Sequence, residues 1–386
     1  MTVAEAQDVI HTSMVWDMRT INSYALSFAI IRTYAIPTIS KTLLASGELV
    51  NGPQVSKRFL DVRSHVCVFL SAMLTGKIHT IPRPRPLSPC VQDPRAFVGI
   101  ARMNWLHAHY HISNDDYLYT LSLFVLDPIR WTRNYSWRPL SPLEEHARFI
   151  LYKYIGELMN IDSIPKTLEE LEAWSLAYER DRMVPAETNE KLSKGMLVEL
   201  SSSLPLPGAA KAFLRGCITV LFPERTRIAM MCASPLFLYP ARLTSPQASG
   251  ANARPARLRT HFPPCLCLHA GIPYAPALLP SADAQELTYG SRTRPVTKPW
   301  YIARPRGLRL VLEEALLRLG LKRENDVPGP QYCCEGFRME EIGPTRWQNV
   351  GHEKVFTEAE RMIGCPIDGI WGRQSALNGN EVVHKK

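Results

Sequence analysis

The stretch Asp93–Pro128, DPRAFVGIARMNWLHAHYHISNDDYLYTLSLFVLDP, constrains this chain more than any other part of it. Asp93-Pro94 is a helix start, a carboxylate cap followed by a proline whose missing N–H does no harm in the first turn. Phe97, Ile100, Met103, His107 and Tyr110 then recur at steps of three or four, one helical face that is apolar except for an imidazole. Ser113 opens a second helix, with Asp116 at the capping-box position. From Tyr117 to Leu126 that helix is apolar on nearly every side and is expected to be buried. Two helices joined by a short turn, one of them carrying a histidine towards the core, form the centre of the domain.

A histidine on an apolar face has three explanations. It is a core residue satisfied by one hydrogen bond, an axial ligand to a haem iron, or a catalytic base. His109 and His111 lie nearby, and His107 and His111 have the i, i+4 spacing of a shared metal site. No Glu accompanies them as in the zinc-protease motif. Arg102 is five residues before His107, about 140° around the helix, so the two side chains point to different surroundings. Arg102 can reach a haem propionate, or pair with Asp115 or Asp116 of the second helix. Those two aspartates have a plainer role as helix caps.

The rest of the chain reads as helices with two irregular breaks. Residues 4–16 form a short amphipathic helix, and 20–46 a longer one interrupted at Pro37 and stopped by Gly47. VCVFLSAML (66–74) is a further buried element. Ser141-Pro142-Leu143-Glu144 and Thr167-x-x-Glu170 are complete helix starts. Their buried faces are Leu143, Ala147, Leu151, Tyr154 and Leu158, then Leu168, Leu171, Trp174 and Tyr178. Further helices are expected over 187–203, 208–222, 223–231 and 308–321. Residues 75–92 are proline-rich and read as a surface loop; 233–298 lose all apolar periodicity and read as a disordered insert. No alternating strand pattern appears, so the class is all-α: one multi-helix domain with a globin-like helical core. Residues 1–232 make its main helical part, with the loop insertion at 75–93. Residues 299–372 cover it, and 373–386 are a frayed tail.

Composition narrows the function. The formal net charge of +9 suggests nucleic acid until it is located: Arg242 to Arg309 holds nine Arg and one Lys against Asp283 and Glu286, a net of +8. No basic stripe interleaved with aromatics runs through the helical part, so nucleic acid is not the expected partner. The nine cysteines form no C-x-x-C pair, and the N-terminus lacks the pattern of a signal peptide, which predicts free thiols in a reducing compartment. The apolar run Tyr24–Ile31 stops at Arg32, far short of the roughly 20 residues that span a bilayer.

ARMNWLHAHY (101–110) followed by ISNDDYLYTLSLFVLDPIRWTRNYSWRPL (112–140) closely resembles the fungal branch of the MpaB / rubber-oxygenase catalytic-domain family. ALSFAIIRTYAIPTISKTLLASGEL (25–49), SKR (56–58), YERDRMVPAETNEKL (178–192), PWYIARP (299–305) and GFRMEEIGP (336–344) continue the resemblance in order. It implies haem b as cofactor, with His107 as the axial ligand and Arg102 beside the haem. It implies dioxygen as co-substrate and cleavage of a carbon–carbon double bond in an apolar isoprenoid-like molecule. Leu118, Leu121, Phe124 and Val125 are candidates to line the channel for that molecule. The implied location is the cytoplasm or the face of the ER membrane. Arg58 and Arg102 are the implied catalytic residues. The family's R-x-x-x-T element reads Arg58-Phe59-Leu60-Asp61-Val62 here, with valine in place of the threonine hydroxyl. The turn before Ser113 is shorter than in related sequences. Two readings follow: a haem-dependent oxygenase, or a non-catalytic paralogue that keeps only the helical fold.

Overall fold

A capping side chain marks where four of the described helices begin; the rest, among them the helix that follows Pro94, start without one. The computed structural model describes residues 1–47, 94–202, 207–232, 307–319 and 338–367. Thr2 caps α1 (Val3–Ile10) in a full capping box with Glu5. A π-helical segment, His11–Asp17, carries the chain on to α2 (Arg19–Thr33). Pro37 then opens α3 (Pro37–Ala45), and Gly47 ends it at a φ of +72° that a side chain would resist. The proline thus separates two helices, as its missing N–H requires.

The central pair follows: α4 (Arg95–His107) and α5 (Asn114–Tyr135). Then come α6 (Pro142–Leu158) and α7 (Leu168–Arg182), each opened by the expected capping box, from Ser141 with Glu144 and from Thr167 with Glu170. Helices α8 (Glu187–Ser202), α9 (Gly208–Val220) and α10 (Glu224–Ala229) complete this part. Beyond it lie α11 (Leu308–Arg318) and α12 (His352–Ile363). Single 3-10 turns at Met339–Glu341 and Thr345–Trp347 precede α12. No strand occurs among the described residues, and the all-α class is observed.

Helix α5 divides the core. Leu118, Leu121, Val125 and Ile129 face one apolar cluster, with Phe97 and Ile100 of α4, Ala147, Leu151 and Ile155 of α6, and Val355 and Phe356 of α12. Tyr119, Leu123 and Trp131 face a second, with Phe28 and Ile31 of α2, Leu192 and Met196 of α8, and Phe222. A helix with neighbours on both sides needs apolar residues on both, which is why Tyr117–Leu126 shows no clean polar face.

Two expectations, on Leu143 and on α11, need correction. Helix α5 continues beyond its apolar stretch, through Pro128 to Tyr135. A proline cannot supply the N–H for the carbonyl four residues earlier, here Phe124. The buried Arg148 of α6 supplies it instead, donating from Nε at 2.9 Å and Nη2 at 2.6 Å to that oxygen. Leu143 is exposed, because it stands in the first turn of α6 at the surface corner after α5, ahead of the buried stripe that starts at Ala147. Val311 and Leu312 of α11 are also exposed; an apolar period marks a helix but does not by itself provide a neighbour. Arg58, Val62, the element 66–74, the loop 75–93, the insert 233–298 and the tail 373–386 lie outside the described residues.

Candidate functional site

Helix α4 ends on the residue that the sequence singles out. Its last hydrogen-bonded turn closes at His107, and the chain then reverses through 108–112. His109 N–H donates to the Leu106 carbonyl at 3.3 Å and Tyr110 N–H to the His107 carbonyl at 2.9 Å. Ser113 restarts the helix by accepting the Asp116 N–H at 3.1 Å. Tyr110 therefore sits past the helix, not on its apolar face. His111 is outside it too, so the i, i+4 spacing with His107 does not put two imidazoles on one helical face.

The His107 ring packs against Tyr117, in the first turn of α5, with ring centroids 5.5 Å apart and planes at 49°. Its Nδ1 is wholly buried and has no hydrogen-bond partner among the described residues. Burial pushes the pKa of His107 down to about 4, so the imidazole is neutral at pH 7. Burial likewise raises the Tyr117 phenol to about 12. A neutral imidazole with an unused buried nitrogen, beside an aromatic ring, has the chemistry of a metal ligand. Haem brings four nitrogens of its own, so one such imidazole suffices. His107 thus fits the protein's share of a haem site. Among the described residues no three His, Cys, Asp or Glu side chains lie close enough together to hold a bare metal ion.

Arg102 is placed differently from either expectation. It is fully buried, and its guanidinium donates to three main-chain carbonyls: Nε to Ile342 at 2.8 Å, Nη1 to Val350 at 2.6 Å, Nη2 to Trp347 at 2.6 Å. Burial lowers its pKa to about 10, against the opposing pull of Glu340 and Glu341. The pairing with Asp115 or Asp116 is not formed. Asp115 is exposed, and the Asp116 carboxylate accepts from Thr38 Oγ1 at 2.7 Å and the Tyr178 hydroxyl at 2.5 Å. With each guanidinium nitrogen already bonded to the C-terminal segment, Arg102 is a strut between α4 and residues 342–350. Arg102 and His107 share a helix but are not brought to one site.

Leu118, Leu121 and Val125 are buried in the core beside α4 and α6, with Phe124 packed against the same cluster. His109 turns outward: its Nδ1 lies 2.8 Å from the Trp105 carbonyl, and its ring sits against Trp105 and Trp347. Two participants escape sequence reasoning. Tyr117 is readable only as part of an apolar helix, although the short turn from α4 already implies that the first turn of α5 faces the last turn of α4. The partners of Arg102 are carbonyl oxygens, which every residue type carries, so no side-chain pattern marks them.

Comparison with known proteins agrees with this geometry in its location. Residues 99–237, which include α5 and all but the first turn of α4, match the family described as ER-bound oxygenase mpaB/B'/Rubber oxygenase, catalytic domain. The chain is 33% identical over 205 residues to ER-bound oxygenase mpaB of Penicillium brevicompactum, covering 48% of each chain. It is 28% identical over 352 residues to ER-bound oxygenase mpaB' of the same organism, covering 85% of this chain and 74% of the relative. It is 32% identical over 194 residues to ER-bound oxygenase mpaB of Penicillium roqueforti, covering 46% of this chain and 59% of the relative. Its matches to the two mpaB relatives thus span about half of their length. No solved structure matches the chain.

Proposed function

From the match of residues 99–237 to the mpaB/rubber-oxygenase catalytic domain, we propose that this chain is a haem-dependent oxygenase with His107 as the axial ligand. The single observation that carries the reading is the His107 ring: neutral at pH 7, with a buried nitrogen that no described residue uses. Bound haem b would supply dioxygen activation; the substrate class is an apolar isoprenoid-like chain cleaved at a carbon–carbon double bond. The residues around His107 would hold the imidazole and exclude water. Tyr117 packs on the ring, and Leu118 and Phe97 seal the helix pair behind it. The relatives' description as ER-bound supports contact with that membrane, and no helix among the described residues is long and apolar enough to cross it. Arg58 stands in the proposal as the second catalytic residue on resemblance alone. For Arg102 the structure favours support of α4 over contact with a propionate.

That last observation favours a second reading, a helical protein that keeps the fold and binds no haem. One titration separates them. The purified protein is mixed with hemin and its absorption followed. The first reading expects a Soret band that saturates at one haem per chain and is lost or shifted in His107→Ala, with helix content unchanged, since alanine suits a helix interior. A folded wild-type protein that stays colourless overturns it.

A further inference from the structure

We infer that residues 338–364 form a clamp that sets the position of the His107 helix, with Arg102 as the positioning residue through which the clamp acts. The functional unit then includes a segment that begins about a hundred residues beyond the stretch 99–237 that matches the family's catalytic domain.

The grip falls on the last turn and a half of α4. Arg102 inserts its guanidinium among the carbonyls of Ile342, Trp347 and Val350, three points spread over nine residues whose one regular piece is the 3-10 turn Thr345–Trp347. A planar fork with fixed donor directions can satisfy such an arrangement only at one rotation of α4 about its axis. The clamp also comes in with bare backbone. A Cβ on Gly343 would stand 2.9 Å from Leu106 Cδ1, and one on Gly351 only 2.2 Å from Trp105 Cε2. Both glycines have positive φ, +132° and +85°, which strains any other residue, and at Gly351 the rigid Trp105 ring blocks a side chain as well. Trp105 is then held from three sides. The Arg102 guanidinium lies 4.7 Å from its ring centroid, Trp347 meets it edge-to-face at 5.5 Å, and Gly351 abuts it. Beneath the clamp, α12 buries Val355, Phe356 and Ala359 in the cluster that holds Phe97 and Ile100. Residues 102, 105 and 106 are thus fixed from the C-terminal side immediately before His107, whose own ring touches Tyr117 on the other side. His107 is placed by what grips the turn preceding it.

The positioning role rests on the reading of His107 as a haem ligand; the clamp itself does not. Two measurements on the full chain keep them apart. The first needs no haem: hydrogen–deuterium exchange of the peptide covering Met103–His107. Arg102→Lys keeps a cation but has no fork, and Gly351→Ala wedges Trp105 without touching charge. Each should speed exchange there by about tenfold or more. Arg148→Lys alters another fully buried arginine, remote from the clamp, and should leave those amides unchanged while lowering the unfolding midpoint. The second measurement is the Soret band of the hemin-loaded protein. It should shift, and haem should be lost faster, in Arg102→Lys and Gly351→Ala; in Arg148→Lys the band should stay where it is. If both clamp variants fold and neither raises exchange at Met103–His107, the clamp is overturned. Raised exchange with an unmoved Soret band overturns the positioning role alone. A wild type that takes no hemin overturns the haem reading and leaves the exchange result standing. Should Arg102→Lys fail to fold, Gly351→Ala carries both measurements.

Discussion

His107 is held neutral by its surroundings, and that has a consequence in the absence of any cofactor. Burial brings its pKa to about 4, whereas an unfolded chain returns it to about 6.5. Between those values the unfolded state binds more protons than the folded one, so unfolding free energy rises with pH across that window and is flat above it. The haem-free protein should therefore lose about 2–3 kcal/mol as pH falls from 7 to 4 on account of this residue. His107→Ala should lack that part of the slope. Urea denaturation of both proteins at pH 7.5 and 4.5 measures it, and parallel pH dependences would remove His107 as the cause. This residue was legible in the sequence because an imidazole interrupts an apolar stripe. The role of Arg102 was not. Its position 140° away rules out a shared target, but its partners lie some 240 residues further on and are backbone atoms. Arg58 remains an expectation from resemblance, outside the described residues.

Helices were legible where they announce themselves with caps: Ser113, Ser141 and Thr167 all accept the predicted N–H. The extent of α5 beyond Leu126 was not, because a proline inside a helix leaves a carbonyl without its partner and the residue that offsets this lies on another helix. Arg148 reaches the Phe124 carbonyl with two donors, and also Asn22 Oδ1 at 3.3 Å and the Tyr152 hydroxyl at 3.4 Å. The arginine and the proline are therefore coupled. Arg148→Met should cost about 1–3 kcal/mol by leaving the Phe124 oxygen buried and unpaired. In a Pro128→Ala background the new N–H can turn to that oxygen, so the same change should cost about 1 kcal/mol less. Chemical denaturation of the four proteins of this cycle decides it; costs that add to within about 0.5 kcal/mol would show that the proline and the arginine act separately.

At the scale of the whole molecule, all-α architecture followed from capped apolar periods and the absence of alternation, but nothing local shows which helices are joined through charge. Arg32 of α2 lies between Asp127 of α5 and Glu179 of α7, bonded to both, and the Tyr119 hydroxyl donates to the same Glu179 oxygen at 3.0 Å. All three charged side chains are at most 9% exposed. Arg130 adds a longer contact to Asp127 at 3.4 Å and continues to Glu172 at the surface. Removing the shared cation leaves two carboxylates close together in the core, so Arg32→Met should cost about 3–5 kcal/mol at pH 7. The cost should depend on pH in a definite direction. Burial already raises the Asp127 carboxyl, and loss of the opposing Arg32 charge raises its folded pKa further above the unfolded one. The folded state of the variant then binds more protons than its unfolded state, and its stability relative to wild type improves as pH falls from 8 towards 5. Replacing the whole group, with Arg32→Met, Asp127→Leu, Glu179→Leu and Tyr119→Phe together, removes the desolvated charges as well as the attraction. That protein should return to within about 1–2 kcal/mol of wild type. Guanidinium melts at pH 5, 6.5 and 8 test both parts; a deficit that is the same at all three, or a fourfold variant no more stable than Arg32→Met, would show that this ion group does not join the three helices in the way its geometry requires.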